Sequence, residues 1–198
     1  MTRGMTALRS PHADLSDDAL MALQAEGDGA AAAELAVRHV PRVLSLAQRM
    51  LGGDRAEAED VAQEAMLRLW RAAPGWEPGR ARLSTWLWRV AANLSTDRLR
   101  RRRQVALDQV PEPEDGAPGV VARLIAADRL AALQAALDAL PERQRLAVVL
   151  RHIEGSSNPE IAEVLETSVE AVESLTARGL RSLAAALAGR RSEVGFEE

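Results

Sequence analysis

RARLSTWLWRVAANLSTDRLRRRR, residues 80–103, brings charge, tryptophan and helical periodicity together in one stretch. It holds eight Arg against one acid, Asp97, in a chain of 198 residues whose formal net charge is -4. A strongly cationic segment therefore sits inside an acidic molecule. Leu83, Leu87, Val90 and Leu94 recur at helical spacing and, at about 100° per residue, fall within roughly 60° of one another, which predicts a buried stripe. Arg89, Asn93 and Arg100 share another face and are free to meet a partner. Trp88 projects about 130° from the centre of the stripe and is expected in solvent, whereas Trp86 lies nearer the margin and is expected partly in the core.

A helix that ends in Arg98, Arg100, Arg101, Arg102 and Arg103 repels itself unless an anion or its own C-terminal carbonyls offset the charge. Arg neutralises a phosphate backbone, and exposed indoles stack on unpaired bases, so this mixture suits nucleic acid. The charge run alone reads equally well as a solvated basic helix end. The rest of the chain has to decide between them.

The composition narrows the fold. With 47% hydrophobic residues but one Phe and no Tyr, the cores must be built from Leu, Val and Ala, which predicts an all-α protein. No apolar run is long enough to span a membrane, and the first residues lack the apolar core of a signal peptide, so a cytoplasmic protein without membrane insertion is expected. There is no Cys, and His12, His39 and His152 are far apart, so neither a metal nor another cofactor is expected. Every basic side chain is Arg. With no clustered His, Gly-rich phosphate loop or nucleophile motif, an enzyme is the least supported class.

In chain order, residues 1–13 carry no pattern and are expected to be disordered. A helix follows from Asp14 to Glu26 with Ser16 as N-cap, and Gly27 and Gly29 should end it. The next helix, Ala30 to Leu51, places Val37, Val40, Leu44, Ala47 and Leu51 along one face, and Pro41 should kink or divide it. Gly52 and Gly53 stop that run. Asp54 then caps DRAEAEDVAQEAMLRLWRAA, whose acids come first and whose Arg68 and Arg71 come last, the charge order a helix dipole favours. Val61, Ala65, Met66 and Leu69 form its buried side. The loop PGWEPGR leads into the basic helix, and its Trp76 either covers the end of the bundle or holds an unstacked base.

Residues 104–122 lose all periodicity and gather Pro, Gly and acids, which predicts a linker between a domain at 14–103 and a second at 123–188. Residues 189–198 read as a disordered tail. The second domain starts with a helix from Val121 to Leu140, resumes at Pro141 and stops at Gly155. Ser157 with Glu160, and Thr167 with Glu170, are candidate capping boxes. Two short helices about a turn at 166–168 have the dimensions of a helix-turn-helix, whose second helix enters the major groove.

Three motifs in order carry a resemblance: RVLSLAQRMLGGDRAEAEDVAQEAMLRLWRA, STWLWRVAANLSTDRLRRRR, and LPERQRLAVVLRHIEGSSNPEIAEVLETSVEAVES. Together they resemble an extracytoplasmic-function (ECF) sigma factor, the two-domain class of the sigma-70 family of bacterial RNA polymerase initiation subunits. The resemblance implies a region 2-like bundle, a region 4-like helix-turn-helix bundle, and promoter-directed initiation with melting of the -10 element. It implies that Asp60, Gln63, Glu64, Leu67, Arg68 and Arg71 dock core RNA polymerase. It sets Trp86, Trp88, Arg89, Asn93 and Arg98 along the -10 element, with Asn93 where the family reads a flipped base and residues 73–82 helping to form the base pocket. An anti-sigma partner is implied by the resemblance alone, and the free chain is expected to be monomeric.

The recognition helix departs from the family. From Ser168 to Leu183 two Arg face two Glu, so phosphate binding there is expected to be weak. The candidate contacts to a -35 element are Ser168, Val169, Glu170, Ser174, Arg178 and Arg181. Gly179 in mid-helix costs about 1 kcal/mol relative to Ala. Two other classes stay open: a sigma-like decoy that binds an anti-sigma protein without DNA, and a stand-alone helix-turn-helix regulator.

Overall fold

The computed structural model describes residues 11–108 and 121–188. The segments 1–10, 109–120 and 189–198, which hold most of the expected N-terminal arm, acidic linker and tail, lie outside the described residues. Among the described residues every regular element is helical.

Helix α1 (Asp17–Ala25) starts where its cap dictates, with Ser16 Oγ accepting from the Ala19 N–H at 3.2 Å. The chain entering it is fastened. Arg38 donates to the carbonyls of His12, Ala13 and Leu15 and pairs with Asp17 and Glu34, so residues 12 and 13, expected in the disordered arm, are tied to the bundle. Helix α2 (Gly29–Met50) begins at the glycine expected to end α1, because Asp28 Oδ1 accepts from the N–H groups of Ala30 and Ala31. Pro41 does not divide it. The carbonyl that Pro41 leaves unbonded belongs to Val37, which is 72% exposed, so water can satisfy it.

Gly52 and Gly53, both at positive φ, turn the chain into α3 (Arg55–Ala72), capped by Asp54 as expected. A short 3₁₀ turn at Ala73–Gly75 and an exposed loop lead to α4 (Leu83–Asp108), which runs five residues beyond the boundary expected at 103. The stripe expected on α2 is rotated. Its core face is Leu35, Val43, Leu46, Ala47 and Met50, while Val37 is exposed and Val40 and Leu44 are half-buried. Helix α3 packs against α2, and Val40 and Leu44 line a groove between them.

The second unit comprises α5 (Val121–Asp138), α6 (Glu142–Val148), a π-helical turn (Val149–Ile153), α7 (Asn158–Leu165) and α8 (Val169–Ala188). Gly155, at φ +74°, ends the π turn, and the Ser157–Glu160 capping box is formed in both directions. The second expected box is not. Ser168, one residue later, caps α8 by accepting from the Ala171 N–H, while the Thr167 N–H bonds back to the Ala162 carbonyl. The turn places Glu166 in the left-handed region at φ 49°. Gly179 is buried where α8 crosses α6, and a Cβ there would lie 2.6 Å from Val148 Cγ2. The glycine penalty read from sequence is offset by close helix packing.

The two units touch through named contacts. Arg145, buried, donates to the carbonyls of Met50 and Asp138 at 2.7 Å each and pairs with Asp138 Oδ1 at 3.0 Å. Gln134 donates to the Arg49 carbonyl at 3.1 Å. Nearer α4, Arg82 pairs with Glu160 at 2.9 Å, Arg42 donates to the Glu154 carbonyl at 2.8 Å, and the Thr96 hydroxyl donates to Glu142.

Candidate nucleic-acid interface

Helix α4 carries the cationic stretch, and its buried arc is displaced from the expected stripe: Leu83 and Leu87 are buried, but Val90 and Leu94 are only half-buried. Leu83, Thr85, Leu87, Trp88, Ala91, Ala92 and Ser95 are all buried, because α2, α3 and α7 each pack on α4. This corrects the expectation for Trp88. The residue is 3% exposed, and its ring lies beneath the Arg42 guanidinium, 4.9 Å from the ring centroid, a cation–π contact that closes it off. Trp86 is half-buried, as its position at the margin of the stripe implied, and meets Trp76 edge-on with centroids 6.3 Å apart.

The arginines divide into two groups. Arg98 donates to the Glu57 carbonyl and pairs with Glu57 at 2.6 Å, with Asp60 a further 3.6 Å neighbour. Arg102 pairs with Asp54, the cap of α3. The Asp54 carboxyl lies below its ordinary value, first because it accepts from the Glu57 N–H and then through Arg102. These two arginines therefore bind α4 to α3. Arg89, Asn93, Arg100 and Arg103 are exposed, with Arg100 only 3.7 Å from Asp97, and they form the available cationic face, whereas Arg101, also exposed, lines a cleft with Asp60, Gln63 and Glu64 of α3.

The six residues expected to face polymerase lie along α3. Asp60, Gln63, Arg68 and Arg71 are exposed, and Glu64 and Leu67 are half-buried. Arg68 pairs with Glu64 at 2.8 Å, which holds the Glu64 carboxyl below its ordinary value. Beside them Ala36, Val40, Leu44, Met66, Leu67 and Trp70 line an apolar groove of about 400 Å³. The sequence reading missed this groove, because a groove needs two helices and each contributes only a few apolar residues to it. Trp70 was its one visible signal.

In the helix-turn-helix, Glu170, Ser174, Arg178 and Arg181 are exposed on α8, while Val169 is half-buried and Ser168 serves as the cap. Arg178 turns back to donate to the Ser174 carbonyl at 3.2 Å. The exposed Glu170 and Glu173 balance Arg178 and Arg181, so the outer face of α8 is close to neutral. Arg42 and Arg145 were not singled out from sequence, since each acts across the boundary between units. Among the described residues no group of acids and histidines is arranged to hold a metal, and no helix is long and apolar enough to cross a membrane.

The family model for Sigma-70 region 2 matches residues 35–105, and that for Sigma-70, region 4 matches residues 130–183. The chain is 39% identical over 164 residues to the ECF RNA polymerase sigma factor SigE of Mycolicibacterium smegmatis, a match covering 81% of this chain and 63% of that protein. It is 31% identical over 169 residues to SigW of Bacillus subtilis, covering 80% and 89% respectively. Among solved structures it resembles CnrH in complex with the cytosolic domain of CnrY, with a TM-score of 0.66 and 29% identity over 87% of this chain and 97% of that one. Two sigma regions in order on one helical scaffold, and a relative of the same class matched along most of its length, establish that the chain belongs to the ECF class of the sigma-70 family.

Proposed function

We propose that this chain is a promoter-specific initiation subunit that joins core RNA polymerase through α3, engages a -35 element through α7 and α8, and captures the opened -10 strand along α4. The observation that carries this reading is the exposed face of Arg89, Asn93, Arg100 and Arg103 on a helix otherwise locked into its bundle. Unstacking a base costs a few kcal/mol, and stacking it on an aromatic ring returns about 1–3 kcal/mol. Capture can then select an already open state without ATP. Two modest contacts on one polymerase reinforce each other, so neither domain has to bind DNA tightly alone.

The chain acts in the cytoplasm, where its polymerase and promoters are. An anti-sigma protein is its expected regulator; the resemblance to CnrH, whose structure was solved with CnrY, supports that partner. Run-off transcription with bacterial core polymerase on a genomic fragment library tests the reading, and discrete promoter-dependent transcripts are expected. The neutral face of α8 and the enclosed Trp88 favour one competing reading, a decoy that binds an anti-sigma protein and leaves DNA alone. Capture of an anti-sigma protein with no template used would establish the decoy instead.

A further inference from the structure

Two acids open α1, and a helix dipole alone would account for both. Their partners show separate tasks. Asp17 bonds to His39 Nε2 at 2.9 Å and pairs with Arg38 at 3.0 Å, which anchors α1 to α2. Asp18 reaches the other way. Its Oδ1 accepts from the Trp76 indole N–H at 2.8 Å, and its Oδ2 accepts from the Gly79 backbone N–H at 3.2 Å. One carboxylate thus fixes two points of the loop joining α3 to α4.

That loop has little else to hold it. Pro74, Gly75, Glu77, Pro78, Gly79 and Arg80 are exposed, and Gly79 stands at φ +76°. Trp76 is its half-buried anchor, and the edge of Trp76 meets Trp86 of α4. Beside the tether a cleft of about 500 Å³ opens, lined by Asp17, Asp18, Gly79, Arg82 and Thr85 and closed on its far side by Glu160 and Glu163. A carboxylate beside a cleft meant for an anionic strand is electrostatically unfavourable there. A charge-assisted bond to the indole N–H is the compensating gain.

We propose that Asp18 is a positioning residue for uptake of the unstacked promoter base: it holds Trp76 and Gly79 so that the loop stands as a preformed wall of the base-accepting cleft. Preorganisation of this kind removes the cost of ordering the loop at the moment of capture. The inference rests on the reading that residues 73–82 take up that base. Because Asp17 fastens α1 independently, loss of the Asp18 carboxylate leaves the helix docked.

The test compares the full chain with its Asp18→Asn variant, each assembled with core polymerase. The probes are single strands from a promoter recovered by run-off transcription, intact or carrying one abasic site at each position in turn. Hydrogen exchange at Gly79 is followed in parallel. Asp18→Asn should speed exchange at Gly79 and weaken the intact strand about tenfold, the value of one hydrogen bond to a charged group. At the captured position the abasic strand should erase that difference, and affinity for core polymerase and for -35 duplex should not change. Unchanged exchange at Gly79 overturns the tether. Equal losses on intact and abasic strands overturn the role in base uptake. If the unaltered chain itself ignores every abasic site, the base-pocket reading fails and the proposal with it, an outcome distinct from the other two.

Discussion

Arg145 is a cation whose partners are mostly backbone. Burial pulls its guanidinium below the ordinary value, yet it serves the carbonyl of Met50, at the end of α2, and that of Asp138, at the end of α5. Arg145→Ala would strand two carbonyls, and the destabilisation expected is about 2–3 kcal/mol, kept at the lower end because Asp138 remains partly solvated. Urea denaturation followed by circular dichroism reads it directly. Asp17 gives a pH signature. Its hydrogen bond to His39, and then Arg38, hold its carboxyl below 3.8, so its contribution is fully present above that value and is lost as pH falls through the lower folded value. Asp17→Asn should be less stable at neutral pH and lose less on acidification from pH ~4 downward, a difference visible in urea midpoints across a pH series. Neither residue's role was open to sequence reading. Arg145 and Met50 are 95 positions apart, and a carbonyl partner has no letter of its own.

Helix ends were legible where the signal is local. Ser16, Asp54 and Ser157 each cap the helix that follows, because a cap needs only a side-chain oxygen and an N–H two or three residues on. Burial around a helix was less legible, since a third helix widens the arc. Trp88 lay outside the leucine stripe and was still covered, by Arg42 from α2. On α2 the reverse occurred, and Val37 was left in solvent. Gly179 shows how tertiary packing overrules propensity. Gly179→Ala would gain about 1 kcal/mol of helix preference but drive a methyl into Val148, a stiff β-branched neighbour, at an expected cost of about 1–3 kcal/mol. A lowered thermal midpoint is therefore expected, and a raised midpoint would mean that α8 can move off α6 freely.

At the scale of the molecule, the second unit lies against the cleft proposed to take up the unstacked base. Glu160 pairs with Arg82 there and Glu163 lines the same cleft, an acidic rim at the proposed entry of an anionic strand. Glu160→Gln keeps an acceptor for the α7 capping box, since Gln serves there as Glu does, but removes the charge opposite Arg82. The free chain should then bind single-stranded oligonucleotide about twofold to threefold more tightly, within the range of an exposed ion pair, and the gain should fade in high salt. Fluorescence anisotropy at two salt concentrations checks both points. The order of the two units was legible because each carries its own motif, whereas their mutual contacts involve single side chains that no periodicity marks.

Helix α4 ends at Asp108 and α5 begins at Val121, so thirteen peptide steps join the two units. Fully stretched, that strap spans at most about 45 Å. While both helices hold their bounds, the proposed function makes it a ruler that caps how far apart on a duplex the contacts of α4 and α8 can fall. Lengthening the strap should widen the range of spacer lengths a template can carry and still be transcribed, and shortening it should trim the longest spacers first.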